Sequence, residues 1–130
     1  MKDAGRVALR DLKASTTLDL IDVIIDAAED KKAIEPLVLD VSALLQIVDR
    51  FVILSGTNRR QVSTLVEEIE ARTKEAGCRP LRREGLDDAE WVLLDYGDVV
   101  VHVFLDETRR FYDLERLWAD APRQETQAGR

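Results

Sequence analysis

The sequence predicts an α/β fold, a single domain with a mixed β-sheet of about five strands flanked by helices, and three observations carry that prediction. Segments of helical period alternate with short apolar runs of strand length. Two of those runs, 37–41 and 51–54, are apolar almost throughout, as strands covered on both faces are. Two later runs, 91–95 and 98–105, are joined across Tyr96-Gly97, a hairpin signal in which glycine supplies a positive φ.

Residues 1–15 mix charged and apolar side chains without a sustained period and read as a leader. From Thr16 onward Leu18, Ile21, Ile25 and Ala28 recur at helical spacing beside Ile24, and Thr16 with Asp19 forms an approximate capping box, so a first helix ends near Lys32. Pro36 stops any helix, and 37–41 form a first strand. The second strand, 51–54, runs into Ser55-Gly56-Thr57-Asn58, a turn feeding a helix. Asn58 and Gln61 supply its capping box, Val62, Leu65, Val66 and Ile69 its buried stripe, and Gly77 its C-terminal stop. Residues 78–82 carry Pro80 and suit an edge strand. After the hairpin, 113–118 read as a capped helical turn packing Leu114, Leu117 and Trp118. The domain spans 16–121, and 122–130 form a polar tail expected to be disordered.

With 130 residues, 45% of them hydrophobic, the chain closes one core and has no material for a second. The longest apolar stretch, 99–105, is interrupted by His102 and falls far short of the ~20 residues of a membrane span. The start of the chain lacks the apolar region of a secretory signal, and a single cysteine, Cys78, agrees with a reducing compartment, so the expected location is the cytoplasm. The net charge of −7 disfavours free nucleic acid as a direct partner. Its distribution says more. Of the 26 acids, seven (Glu84, Asp87, Asp88, Glu90, Asp95, Asp98, Asp106) lie in a stretch without Lys or Arg, and the 19 left balance the 19 basic residues. Such an acidic segment favours a basic partner.

No group of residues reads as an active site. Ser55-Gly56 before a helix is like the loop with which nucleotidyltransferases hold a triphosphate, but those enzymes need carboxylates on a neighbouring strand to hold Mg²⁺. The next strand here, Cys78-Arg79-Pro80-Leu81-Arg82, has none, which favours a plain strand-to-helix turn. Asp95 and Asp98 have no third metal ligand nearby. His102 has no nucleophile with a recognisable signature around it, and Cys78 reads as a small hydrophobe. The expectation is a binding protein with no catalytic residues, metal or cofactor. The alternatives are an active nucleotidyltransferase and an independent homodimeric interaction module.

The segment Glu84-Gly85, the run from Trp91-Val92-Leu93-Leu94-Asp95-Tyr96-Gly97-Asp98 through His102-Val103-Phe104, and Arg110-Phe111-Tyr112-Asp113-Leu114-Glu115-Arg116-Leu117-Trp118 together resemble the ribosomal silencing factor (RsfS/Iojap) family. Asp49-Arg50-Phe51-Val52-Ile53-Leu54-Ser55-Gly56-Thr57-Asn58 is similar to the same family, and the resemblance runs in unbroken order over 18–121. Leu54 and Thr57 stand where members more often carry alanine and serine. The resemblance implies a nucleotidyltransferase-like fold without catalytic carboxylates. It also implies a partner on the large ribosomal subunit, the basic protein numbered fourteen at a bridge to the small subunit. Occupying that protein would block subunit joining and repress translation, and the free form would be a homodimer.

Hairpin register points to a site. With a two-residue turn at Tyr96-Gly97, Asp95 lies opposite Asp98, Leu93 opposite Val100 and Trp91 opposite His102. One face is then aliphatic (Val92, Leu94, Val99, Val101, Val103, Leu105) and the other mixes Trp91, Leu93, His102 and Phe104 with Asp95 and Asp98. The second face, with Glu84 at its edge and Tyr96 at its tip, is the expected partner-binding surface, an aromatic centre rimmed by charge. Paired aspartates opposite each other would make physical sense with a partner's cation between them. The competing expectation is that a helix covers most of this face.

Overall fold

The computed structural model describes residues 17–124; the leader, the Thr16 cap and the last six residues of the tail lie outside the described residues. Helix α1 (Thr17–Asp30) buries Leu20, Ile21, Ile24, Ile25, Ala27 and Ala28; the predicted stripe holds at Ile21, Ile24, Ile25 and Ala28, but Leu18, in the first turn, is exposed and Leu20 is buried in its place. Strand β1 (Ile34–Asp40) starts three residues earlier than expected, because Ile34 pairs with Ser55 ahead of a bulge that takes up Glu35 and Pro36. Next come β2 (Arg50–Gly56) and α2 (Arg59–Glu75). At the start of α2 the Asn58 side chain accepts from the Gln61 amide at 2.8 Å, and past its end Gly77 takes φ 90, as the sequence leads one to expect.

The edge strand lies later than predicted. Residues 78–81 are not strand, and β3 is Arg82–Glu84, just past Pro80, which has no N–H to give to a ladder. Strands β4 (Trp91–Asp95) and β5 (Val99–Leu105) form the hairpin, followed by α3 (Asp106–Tyr112), α4 (Leu114–Leu117) and β6 (Arg123–Gln124). Among the described residues the sheet thus has six strands in the order β3-β4-β5-β2-β1-β6. Its sixth strand corrects the expectation for the start of the tail: Arg123 and Gln124 pair with Leu39 and Val38, and Gln124 accepts a hydrogen bond from Arg50. The predicted turn at 113–118 is helical, but Asp113 offers no side-chain cap and instead takes φ 50 between two short helices.

Neighbouring strands are antiparallel except at the centre, where β2 and β5 run parallel in register from Arg50–Val99 to Gly56–Leu105. Each face of the sheet carries its own core. On the first, α1 and α2 pack onto Val38, Val52, Leu54, Val92, Leu94, Val99, Val101 and Val103. Across the tops of these helices Arg72 of α2 reaches Asp26 at 3.3 Å, Glu68 at 2.7 Å and Asp30, tying one helix to the other. On the second face Leu39, Phe51, Ile53, Val100 and Phe104 are covered by Val41, Leu114 and Ala121, with Leu45, Val48 and Trp118 alongside.

Between β3 and β4 the chain folds back over the start of β4. Gly85 takes φ 82, and a Cβ there would sit 2.1 Å from the Trp91 carbonyl oxygen. Both the dihedral and the space require glycine. Gly85→Ala is therefore expected to lower unfolding stability by on the order of 3 kcal/mol, read as a fall in the urea midpoint. A midpoint equal to that of the wild type would contradict this close approach.

Candidate functional site

The hairpin register differs from the expected one by two residues. Tyr96 N–H donates to the Val99 carbonyl at 2.8 Å, so Gly97 and Asp98 form the turn. Asp95 then faces Val100, Leu93 faces His102 and Trp91 faces Phe104. The predicted pair of facing aspartates does not exist. The sorting of residues between the two faces survives, because a shift of two leaves side-chain parity unchanged.

Within the aromatic face the candidates occupy distinct depths. Phe104 and His102 are buried beneath the surface. Trp91, half-buried, lies over them: its ring centroid is 4.8 Å from Phe104, and its Nε1 donates to His102 Nδ1 at 3.1 Å. Leu93 is half-buried, and Glu84 lies beside it on β3, exposed. Asp95 already has partners within the chain. It accepts from the Gly97 amide at 2.8 Å and from Arg82 Nη2 at 3.1 Å, so no external cation is needed to hold it. Asp98 is exposed in the turn.

Tyr96 belongs to the opposite face. Its hydroxyl meets Thr73 Oγ1 of α2 at 3.0 Å, and burial pushes the phenol up to about 12. It is a tie between hairpin and helix rather than a tip residue.

The competing expectation of a covering helix holds in part. The corner formed by α3 and α4 covers the face over β2 and β5, with Trp118 edge-on to Phe51 at 5.3 Å, and leaves Trp91 and Leu93 over β4 half-open. The same corner adds to the surface Phe111 and Tyr112, which periodicity did not single out, and Leu117, which was expected to pack and instead points outward from a helix that buries only Leu114. Tyr112 packs on Trp91 at 5.0 Å with Phe111 edge-on to it, and Phe111, Tyr112 and Leu117 are 81%, 55% and 73% exposed. The signal was present as two adjacent aromatics, Phe111-Tyr112, which one helix cannot both bury on a single stripe.

The acidic excess is partly spent inside the molecule. Glu90 pairs with Arg59, Asp95 with Arg82 and Asp106 with Arg110, each arginine coming from outside the acidic stretch. Glu84, which Arg82 also approaches at 3.8 Å, lies exposed beside Leu93, Asp98 is exposed in the hairpin turn, and Asp87 and Asp88 are exposed as well.

At Ser55-Gly56 the polar groups are turned inward. Gln61 Oε1 accepts from both Thr57 N and Thr57 Oγ1, at 2.7 and 2.9 Å, and its Nε2 donates to the carbonyls of Lys31 and Lys32. The Ser55 hydroxyl, fully buried, donates to Asp106 at 3.0 Å. The groups that would cradle a phosphate there are occupied by the chain's own side chains.

Fold and face define a small mixed-sheet α/β domain that keeps part of an aromatic sheet face uncovered. The chain belongs to the RsfS family, ribosomal silencing factor during starvation, whose family model matches residues 14–130. A protein of Bacillus subtilis named ribosomal silencing factor RsfS is 41% identical over 103 residues, covering 79% of this chain and 87% of that one. A mouse protein named mitochondrial assembly of ribosomal large subunit protein 1 is 34% identical over 101 residues, 75% of this chain and 44% of its own length. A crystal structure of a Chromobacterium violaceum protein superposes with a TM-score of 0.75 at 37% identity, covering 85% of this chain and 92% of that one.

His102 gives the face a titration signature. Burial lowers its pKa from 6.5 to about 4, so the imidazole is neutral in the fold, and because Nδ1 accepts from Trp91 its proton sits on Nε2. The unfolded chain takes up the extra proton between those values. Stability is therefore complete above pH 6.5 and falls by up to about 3 kcal/mol as the pH drops to 4. His102→Gln, which still offers Trp91 an acceptor, is expected to show a shallower loss of urea midpoint between pH 7 and 5 than the wild type. Parallel pH profiles for the two proteins would refute a neutral buried histidine.

Proposed function

We propose that the chain docks its open aromatic face on the large ribosomal subunit, at the basic protein numbered fourteen, and so keeps the small subunit from joining and lowers translation. The observation that carries this reading is the strip Trp91, Leu93, Tyr112 and Phe111, apolar and half-buried or exposed, with the exposed acids Glu84, beside Leu93, and Asp98, in the hairpin turn. A surface of that kind suits a cationic protein: aromatics anchor, and rim acids steer the approach. The names of the relatives point the same way, since one is a ribosomal silencing factor and another is tied to assembly of the large subunit. The chain acts by occupying a surface, without catalysis, in the cytoplasm. Nucleotide transfer is disfavoured by Gln61, whose side chain fills the turn a triphosphate would need.

Sedimentation through sucrose with separated subunits tests this directly. The protein is expected to travel with large subunits and to reduce the yield of joined ribosomes, and equal distribution between the two subunits would sink the reading. Because Asp95 serves its own turn, the acids to reverse are Glu84 and Asp98. The double variant Glu84→Lys/Asp98→Lys is expected to keep the wild-type Tm within a degree or two, as exposed substitutions do, while binding to large subunits falls about tenfold or more. Full binding by the folded double variant would move the surface elsewhere.

When free, the same exposed aromatics favour a homodimer that shields them. Light scattering at micromolar concentration is expected to give twice the chain mass, and a monomer mass there would rule out that shielding.

A further inference from the structure

Each short helix of the α3–α4 corner buries a single residue. Arg109 is the one buried residue of α3, and Leu114 the one buried residue of α4. Helices of one or two turns do not stand by their own hydrogen bonds, so whatever holds them decides where their side chains point.

What holds them is the Arg109 guanidinium, 5% exposed, which makes four hydrogen bonds and an ion pair. Nε donates to the Glu115 carboxylate at 3.0 Å, and Nη2 is ion-paired with the same oxygen at 2.9 Å. Nη1 donates to the Ile34 carbonyl at 3.0 Å and to the Ser55 hydroxyl at 3.1 Å, and Nη2 also donates to the Glu35 carbonyl at 2.9 Å. Glu35 takes φ 45 in the bulge of β1, an irregularity that leaves two successive carbonyls, of Ile34 and Glu35, for one guanidinium. Ser55 passes the connection on to Asp106 at 3.0 Å, and Asp106 accepts from Arg110 at 3.0 Å. Apolar packing would allow a short helix to roll, whereas a planar fork bonded at fixed directions sets its rotation.

We propose that Arg109 is the positioning residue of the docking face. It sets the rotation of α3 so that Tyr112 backs Trp91 while Phe111, with Leu117 of α4, stands outward for the partner. The inference rests on the docking function proposed above. Arg109 touches the β1 bulge, the end of β2 and α4, and acts on the partner only through the corner it holds.

Arg109→Lys keeps the charge and the stem but offers donors from a single nitrogen. In native-state hydrogen exchange, amides of 106–121 are expected to exchange about tenfold faster or more, while α1, α2 and β2 keep wild-type protection. Affinity for isolated large subunits is expected to fall about tenfold or more. Phe111→Ala, at an exposed site, lowers affinity by itself and adds little in the Arg109→Lys background, because both changes act through the same corner. Should Arg109→Lys fold poorly, Glu115→Gln removes the carboxylate charge at constant shape and is read in the same way. A loosened corner with unchanged affinity, lost affinity with the corner still protected, or additive losses from Arg109→Lys and Phe111→Ala each overturn the proposal. A wild-type chain that fails to bind large subunits sinks the docking reading alone, and the exchange arm then still decides whether Arg109 holds the corner.

Discussion

The parallel pairing of β2 with β5 is the constraint on which the other elements depend. Parallel neighbours cannot be joined by a tight turn, so the chain leaves β2 through α2, adds β3 and β4 at the far side of the sheet and only then returns as β5 beside β2. Their common direction also brings both strand ends to one side of the sheet. Gly56 enters the turn to α2 beside Leu105, which enters α3. Ser55 therefore meets Asp106 and Arg109 across a long span of sequence, and the C-terminal corner is anchored at the turn that in a nucleotidyltransferase would face a triphosphate.

The elements legible in the sequence are those whose pattern is local. Helix α2 shows its cap at Asn58, its stripe at Val62, Leu65, Val66 and Ile69 and its stop at Gly77, all within one stretch. Strands β4 and β5 alternate cleanly enough for their two faces to be sorted correctly even though the register was displaced. That displacement has a physical cause. Local turn chemistry places glycine in the turn, but whether Tyr96 belongs to the turn or to the strand depends on Thr73, which holds its hydroxyl from another element. Helix α3 went unread because its buried residue is an arginine, and apolar periodicity cannot register a helix held by polar bonds. β6 is two residues that become strand only because the edge of β1 lies beside them.

The candidate site was legible as a face and illegible as a surface. Sequence alternation groups Trp91, Leu93, His102 and Phe104 together, and the fold stacks them in layers, with Phe104 and His102 below and Trp91 and Leu93 above. Depth is a tertiary property, set here by how far α4 and Trp118 reach across the sheet. Charge behaves similarly. Counting acids identifies a segment, but Arg59, Arg82 and Arg110 arrive from elsewhere to pair with Glu90, Asp95 and Asp106, and Arg82 also reaches Glu84, while Glu84, Asp87, Asp88 and Asp98 stay exposed. The Trp91–His102 hydrogen bond gives this apolar layer one directional contact, fixing the tilt of the indole that the strip presents.

The two margins of the sheet bear on how such a molecule meets a copy of itself. At one margin β3 is three residues long, Arg82, Arg83 and Glu84, all exposed and all charged. At the other, β6 occupies the free side of β1 at Val38 and Leu39. Unpaired strand margins are templates for endless addition, and short, charged or occupied ones are poor templates. A pair of the kind proposed above would therefore meet through the broad side of the sheet, where contact between two copies is reciprocal and closes on itself. The architecture favours a finite pair over a growing fibre.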